Sequence, residues 1–158
     1  MIRTIVVAVD GSPSSQGAFA LACEMAGAFG ARLVLVTVAP YRTYFPPGKG
    51  EANVSEHEVR SYARLSRRWA ATARARGVAS VETVNLEGFV ADAIIEYAER
   101  ERPDLLVLGA RGLSGARRMF LGGVSTSVVA HLPCPVLVVP EPAAASAADR
   151  TDGPGTPG

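Results

Sequence analysis

Five short apolar runs, each separated from the next by a stretch with helical periodicity, constrain this chain more than any other feature. The first, Thr4-Ile5-Val6-Val7-Ala8-Val9, is apolar without interruption. A strand with one wet face would alternate, so a continuous run predicts a strand covered on both faces. Leu33 to Val38 is a second apolar run, Asp104-Leu105-Leu106-Val107-Leu108 a fourth strand, and Pro135 to Val139 supplies a fifth. Val81 to Leu86 is more polar, which places it nearer a sheet edge.

Helices fill the intervals. Ser12-Pro13 reads as an N-cap followed by proline at the first helical position. The helix then sets Ala18, Leu21, Ala22, Met25, Ala26 and Phe29 on one face and closes at Gly30. A long helix is expected from about Ser55 to Arg76, a third over Val90 to Arg100 with Pro103 beyond it, and a fourth over Val124 to His131. The order βαβαβαβαβ implies right-handed crossovers and an α/β fold: an open, twisted, five-stranded parallel sheet with helices on both faces. One domain is expected over residues 1–140. Residues 141–158 lack periodicity and read as a disordered tail.

A formal net charge of +1 gives no electrostatic argument for nucleic acid or an anionic membrane as partner. The apolar runs are far shorter than the roughly 20 residues a transmembrane helix needs. Met1-Ile2-Arg3 leads directly into a strand, without the pattern of an export signal. A cytoplasmic location is the expectation, with Cys23 and Cys134 as small reduced hydrophobes rather than reactive thiols. His57 and His131 have no companions at metal-ligand spacing, so no metal site built from them is expected.

In an open parallel sheet, ligands bind beyond the carboxyl ends of the strands, where the winding reverses. Two connections stand out there. Asp10-Gly11-Ser12 follows the first strand, and a glycine-rich stretch from Gly109 to Gly123 follows the fourth. Glycines let backbone N–H groups approach an anion, and a helix starting near Val124 would aim its positive end at the same place. There is no GxGxxG after the first strand and no GxxxxGK[ST], which disfavours a dinucleotide-binding Rossmann domain and a P-loop. A receiver domain would need a lysine after its last strand, and the chain's one lysine is Lys49.

Gly109, Gly112 and Gly122 have the spacing G-x2-G-x9-G. With the opening Ile5-Val-Val-Ala-Val-Asp-Gly-Ser, the segment Pro103-Asp-Leu-Leu-Val-Leu-Gly109 and the segment Pro133-Cys-Pro-Val-Leu-Val-Val-Pro140, the chain resembles the universal stress protein family over Met1 to about Pro140. The resemblance implies a Rossmann-like fold of the adenine nucleotide alpha-hydrolase type that binds ATP, with Mg2+, at the carboxyl edge. Ala8, Val9 and Asp10 would line the adenosine, with Asp10 near the ribose or a phosphate-bound Mg2+. Val38 would touch adenine through its strand end and Leu108 would border the ribose. Gly109, Gly112, Gly122, Gly123, Val124 and Ser125 would wrap the triphosphate. The family also implies a homodimer through the last strand.

One position departs from the family pattern: Gly123 stands where Ser or Thr is usual, and Ser125 offers a nearby hydroxyl in compensation. Simpler roles exist for the same residues. Asp10 suits a helix cap, the glycine stretch suits a connector, and Arg60, Arg64, Arg67 and Arg68 suit a solvated helix face. Tyr41, Tyr44 and Phe45 suit either a cover for the base or packing at the strand ends. The leading expectation is a nucleotide-dependent stress-response regulator. The alternatives are a slow ATP-hydrolysing enzyme, for which no general base is evident, and a dimer that binds no nucleotide.

Overall fold

In the computed structural model, residues 1–41, 54–111, 123–131 and 133–141 are described. Along them run β1 (Thr4–Ala8), α1 (Pro13–Phe29), β2 (Arg32–Pro40), α2 (Glu56–Ala75), β3 (Val81–Gly88), α3 (Val90–Glu101), β4 (Leu105–Gly109), α4 (Gly123–His131) and β5 (Val136–Val139). Residues 142–158 of the expected disordered tail and the residues from 112 to 122, Gly112 and Gly122 among them, lie outside the described residues, as do Tyr44 and Phe45.

All pairings are parallel and the strand order is β3-β2-β1-β4-β5. Val7 lies between Leu35 and Val107. The chain winds outward from β1 through β2 to β3, then returns to lay β4 on the other side of β1. Their shared boundary is the switch point. The more polar β3 is an edge strand, as its composition predicts, and β5 is the other edge.

Alternate residues of the central strands feed two cores. Ile5, Val7, Leu33, Leu35 and Val107 pack against Ala18, Phe19, Ala22 and Cys23 of α1 and Ala70 and Ala73 of α2. Val6, Val34, Val36, Val38, Leu106 and Leu108 pack against Ile94, Ile95 and Tyr97 of α3 and Val128 of α4. Burying the strands on both sides removes from water the surface that made their runs continuous in sequence, at roughly 25 cal/mol per Å².

The buried face of α1 differs from the one its periodicity suggests. Phe19 and Cys23 are in the core, Leu21 and Met25 are half-buried, and Phe29 is 49% exposed. The helix is apolar nearly all round, so spacing alone does not choose a side. The choice is made by α2: the Phe19 ring meets Trp69 edge-on at 4.4 Å, with the Arg76 guanidinium 5.5 Å from its centroid. Cys23, buried there, has its thiol pushed up to about 11, whereas Cys134 is only half-buried, with burial again raising its pKa.

The ends of the helices are chemically defined. In α2, Ser55 and Glu58 form a reciprocal capping box, the Ser55 Oγ accepting from Glu58 N at 3.2 Å. At the opposite edge of the sheet from the switch-point loops, the Asp104 carboxylate accepts the backbone N–H groups of Arg3 and Thr4 at 2.8 and 2.9 Å. Those two bonds join the start of β1 to the approach to β4 and hold the carboxyl below its ordinary pKa.

Candidate functional site

The β1–α1 turn is built from short side chains that satisfy its own backbone. Asp10 Oδ1 accepts the Ser12 N–H at 2.9 Å, closing an Asx turn across Gly11. Gly11 has φ +83°, a left-handed conformation that side-chain-bearing residues rarely take. Ser12 is the N-cap of α1, its Oγ accepting from Ser15 N at 3.2 Å, and Pro13 follows at the first helical position. Asp10 therefore does not cap the helix. It shapes the turn ahead of the cap.

This turn is stitched to the end of β4. Arg111 N donates to Ser14 Oγ at 3.2 Å, and Ser12 Oγ donates to the Arg111 carbonyl at 3.4 Å. A Cβ on Gly109 would lie 2.7–2.8 Å from the backbone of Ser14 and Ser15, so the strand end and the helix meet main chain to main chain. The Ala110 N–H is taken by the Val139 carbonyl at 2.7 Å. Glycine at position 109 is thus required by packing within the chain.

The third part is the start of α4. Ser125, 3% exposed, donates its hydroxyl to the Gly109 carbonyl at 2.7 Å, which seats the first turn of α4 on the end of β4. With its proton committed there, that hydroxyl is not the outward-facing donor that position 123 lacks. Gly123 is exposed, and a Cβ added to it meets nothing within 4 Å. The first N–H groups of an α-helix have no intrahelical partners, and the helix dipole makes that end positive.

Ala8, Val9, Asp10, Leu108, Gly109, Gly123, Val124 and Ser125 thus gather around the β1–β4 boundary, with Val38 one strand away at the end of β2. Val9, Val38 and Leu108 are at most 6% exposed and their side chains belong to the two cores. What they can present at the edge is backbone. Two features escaped the sequence reading. Ser14 is 1% exposed and holds Arg111, although nothing in the run Ser12-Pro-Ser-Ser distinguishes it from the cap. Phe89, 55% exposed at the N-cap of α3, packs edge-on against Tyr41 at 5.6 Å, which sets an aromatic pair at the carboxyl ends of β2 and β3.

Comparison with known proteins decides what this edge belongs to. The model of the universal stress protein family matches residues 1–140. The chain belongs to that family. A universal stress protein of Thermus aquaticus is 39% identical over 140 residues, covering 88% of this chain and 99% of that one. Among solved structures, the universal stress protein UspA from Lactobacillus plantarum superposes with a TM-score of 0.74 at 28% identity, covering 87% of this chain and 97% of that one. A universal stress protein solved in complex with cAMP gives a TM-score of 0.68 at 28% identity, covering 89% and 98%. This universal stress protein domain shares with those relatives an α/β fold with a five-stranded parallel sheet. No helix among the described residues is long and apolar enough to cross a membrane.

Proposed function

We propose that this chain binds ATP across the carboxyl edge of its sheet and acts in the cytoplasm as a nucleotide-dependent regulator of a stress response. The observation that carries the reading is the convergence of three backbone segments at the switch point. Ser14 ties the β1–α1 turn to Arg111, and Ser125 ties the start of α4 to Gly109. The cAMP complex of a relative at 28% identity supports an adenine nucleotide as the class of ligand.

The residues present fit such a ligand. The start of α4, exposed at Gly123 with open space there, suits phosphate oxygens, which helix N-termini favour through free N–H groups and dipole. Phosphates would lie along Gly109, Gly112, Gly122, Gly123, Val124 and Ser125. The ribose would lie by Ala8, Val9, Asp10 and Leu108, and the base by the end of β2 at Val38. Asp10, anchored through Ser12 N–H, would hold a ribose hydroxyl or the Mg2+ that accompanies the phosphates, and the metal would supply charge neutralisation.

The unit of function is proposed to be a homodimer through β5. That strand is a sheet edge whose four residues are all half-buried, with Val136 in one core and Leu137 and Val139 against the other. Pairing two such edges removes a template for aggregation. Mass spectrometry of nucleotide retained by the purified protein, followed by calorimetry with ATP, Mg2+ and adenosine, tests the ligand. Absence of ATP binding with and without Mg2+ overturns the reading, and a monomeric mass by light scattering at micromolar concentration overturns the dimer.

A further inference from the structure

The helices α2 and α3 lie over the same strands, β2 and β3, on opposite sides of the sheet. Their solvent faces carry opposite charge. Arg60, Arg64, Arg67, Arg68 and Arg74 of α2 are all exposed. At roughly 100° per residue they fall within an arc of about 120°, facing away from the buried Ser66, Ala70 and Ala73. Glu56 pairs with Arg60 at 2.6 Å, and Arg74 donates to the Val81 carbonyl. Among the described residues Arg64, Arg67 and Arg68 form no ion pair. On α3, Asp92, Glu96 and Glu99 are exposed along one line, opposite the buried Ile94, Ile95, Tyr97 and Ala98, with exposed Arg100 at the C-terminal end of that face, paired with Glu101.

Each stripe repels itself. Arg60/Arg64 and Arg64/Arg68 are like charges at i,i+4, as are Asp92/Glu96, and such pairs destabilise a helix. Opposite charge enters only at the stripe ends, where Glu56 pairs with Arg60 and where Arg100 follows Glu96 at i,i+4 and pairs with Glu101. The spacings also match: Arg60, Arg64 and Arg67 follow the same four-then-three step as Asp92, Glu96 and Glu99, a span of about 10.5 Å at 1.5 Å per residue. The sheet separates the two stripes within one molecule. They can meet only between molecules.

We propose that a second copy of this chain docks the acidic stripe of its α3, in parallel register, on the arginine face of α2. The contact is heterologous, so each molecule keeps one unused face of each sign, and the association propagates as an open stack unless its rotation closes a ring. It lies over β2 and β3, at the far end of the sheet from β5, and is independent of the proposed twofold dimer. Two helix faces alone make a small, polar interface, which is weak and salt-sensitive.

Sedimentation velocity of the whole chain at about 20 mM and about 500 mM NaCl tests this, because the Debye length shrinks severalfold between them. The expected result is a weight-average mass that climbs with protein concentration at low salt and falls back at high salt to a floor. That floor, one chain or two, reports on β5 and leaves the stack a separate question. R64E/R67E alone and E96R/E99R alone should each lose the climb, and an equimolar mixture of the two should regain it. Regain by mixing also shows that both variants are folded. A wild-type mass independent of concentration at low salt overturns the proposal, as does a climb surviving in either variant or a mixture that stays dispersed. Binding of a fluorescent single-stranded oligonucleotide that depends on Arg64 and Arg67, without self-association, overturns it in favour of nucleic acid as the partner.

Discussion

Gly109 and Ser14 touch through their backbones: a Cβ at position 109 would stand 2.7 Å from the Ser14 carbonyl carbon. The first glycine of the G-x2-G-x9-G pattern is therefore needed before any ligand arrives, because the end of β4 and the first turn of α1 approach too closely for a side chain. Gly123 is the opposite case, with open space where its side chain would be. The first motif glycine and the glycine that replaces the usual Ser or Thr thus answer to different demands.

The contrast is measurable by denaturation. Gly109→Ala forces backbone apart in a packed region and should destabilise the fold by about 1–3 kcal/mol. Gly123→Ala, at an exposed position with nothing to meet, should stay within about 0.5 kcal/mol of the parent. Urea midpoints at constant slope read both. Equal midpoints for Gly109→Ala and the parent would mean that the strand end and α1 stand further apart.

Asp104 gives the fold a dependence on acid. Its carboxylate is held below the ordinary value by the Arg3 N–H first and the Thr4 N–H second. The group contributes stability above its unfolded pKa, and the contribution disappears as pH falls through the lower folded value. The window lies below about pH 4, given an ordinary aspartate near 3.9. Asp104→Asn should lower the melting temperature at pH 7 and flatten its fall below pH 4. A variant with the parent's melting temperature at every pH would show that the two bonds contribute nothing.

Arg102 caps α3 with φ 47°, the only positive φ among the described non-glycine residues. The left-handed conformation costs an L-residue about 1–2 kcal/mol, and glycine's extra unfolded-state entropy offsets roughly 0.5–1 kcal/mol of the gain. Arg102→Gly should therefore stabilise by about 0.5–1 kcal/mol, read as a higher urea midpoint with ATP affinity unchanged. A loss of stability would mean that the arginine side chain contributes more than its backbone strain removes.

The sheet was legible because burial on both faces leaves a trace in composition. Each strand core is a continuous apolar run, and β3, an edge strand with no buried residue before Gly88, is the polar exception. The starts of α1 after Ser12 and of α2 after Ser55 follow from local chemistry and fall within a residue of expectation. The buried face of α1 was not legible. Its sides are nearly equally apolar, and Trp69, some fifty residues away, decides that Phe19 turns inward while Phe29 stays out. At the candidate site, the loop positions were legible as places where glycine and short polar residues cluster. Which glycine serves packing was not, because the clash at Gly109 depends on a helix nearly a hundred residues earlier.

Asp10 and its turn separate recognition from folding. Asp10→Ala removes the acceptor of the Ser12 N–H along with the charge, so part of its effect will be lost stability, about 0.5–1.5 kcal/mol for one hydrogen bond. Asp10→Asn keeps an acceptor oxygen and removes the charge. If Asp10 holds a ribose hydroxyl or Mg2+, Asn should retain most of the melting temperature yet weaken ATP binding in the presence of Mg2+. Loss without Mg2+ as well points to the ribose, and loss only with Mg2+ points to the metal. Unchanged affinity under both conditions would leave Asp10 a turn residue only.

Gly123 allows the phosphate reading to be tested by gain rather than loss. The position is exposed, its φ is not in the left-handed range, and an added Cβ meets nothing, so serine fits without strain. Ser125 does not duplicate the effect, since its hydroxyl is engaged by Gly109. A hydroxyl at position 123, beside the first N–H groups of α4, which have no intrahelical partners, would add one donor toward a phosphate oxygen. Gly123→Ser should tighten ATP by up to about tenfold, equivalent to roughly 1.4 kcal/mol. Gly123→Ala supplies the same Cβ without the donor and should leave ATP affinity near the parent's. Adenosine, which has no phosphates, should bind all three proteins equally. If serine tightens adenosine as much as ATP, the added hydroxyl acts on the nucleoside and the start of α4 is not the phosphate end of the site. If serine leaves ATP unchanged while calorimetry confirms binding, the phosphates lie elsewhere on the edge.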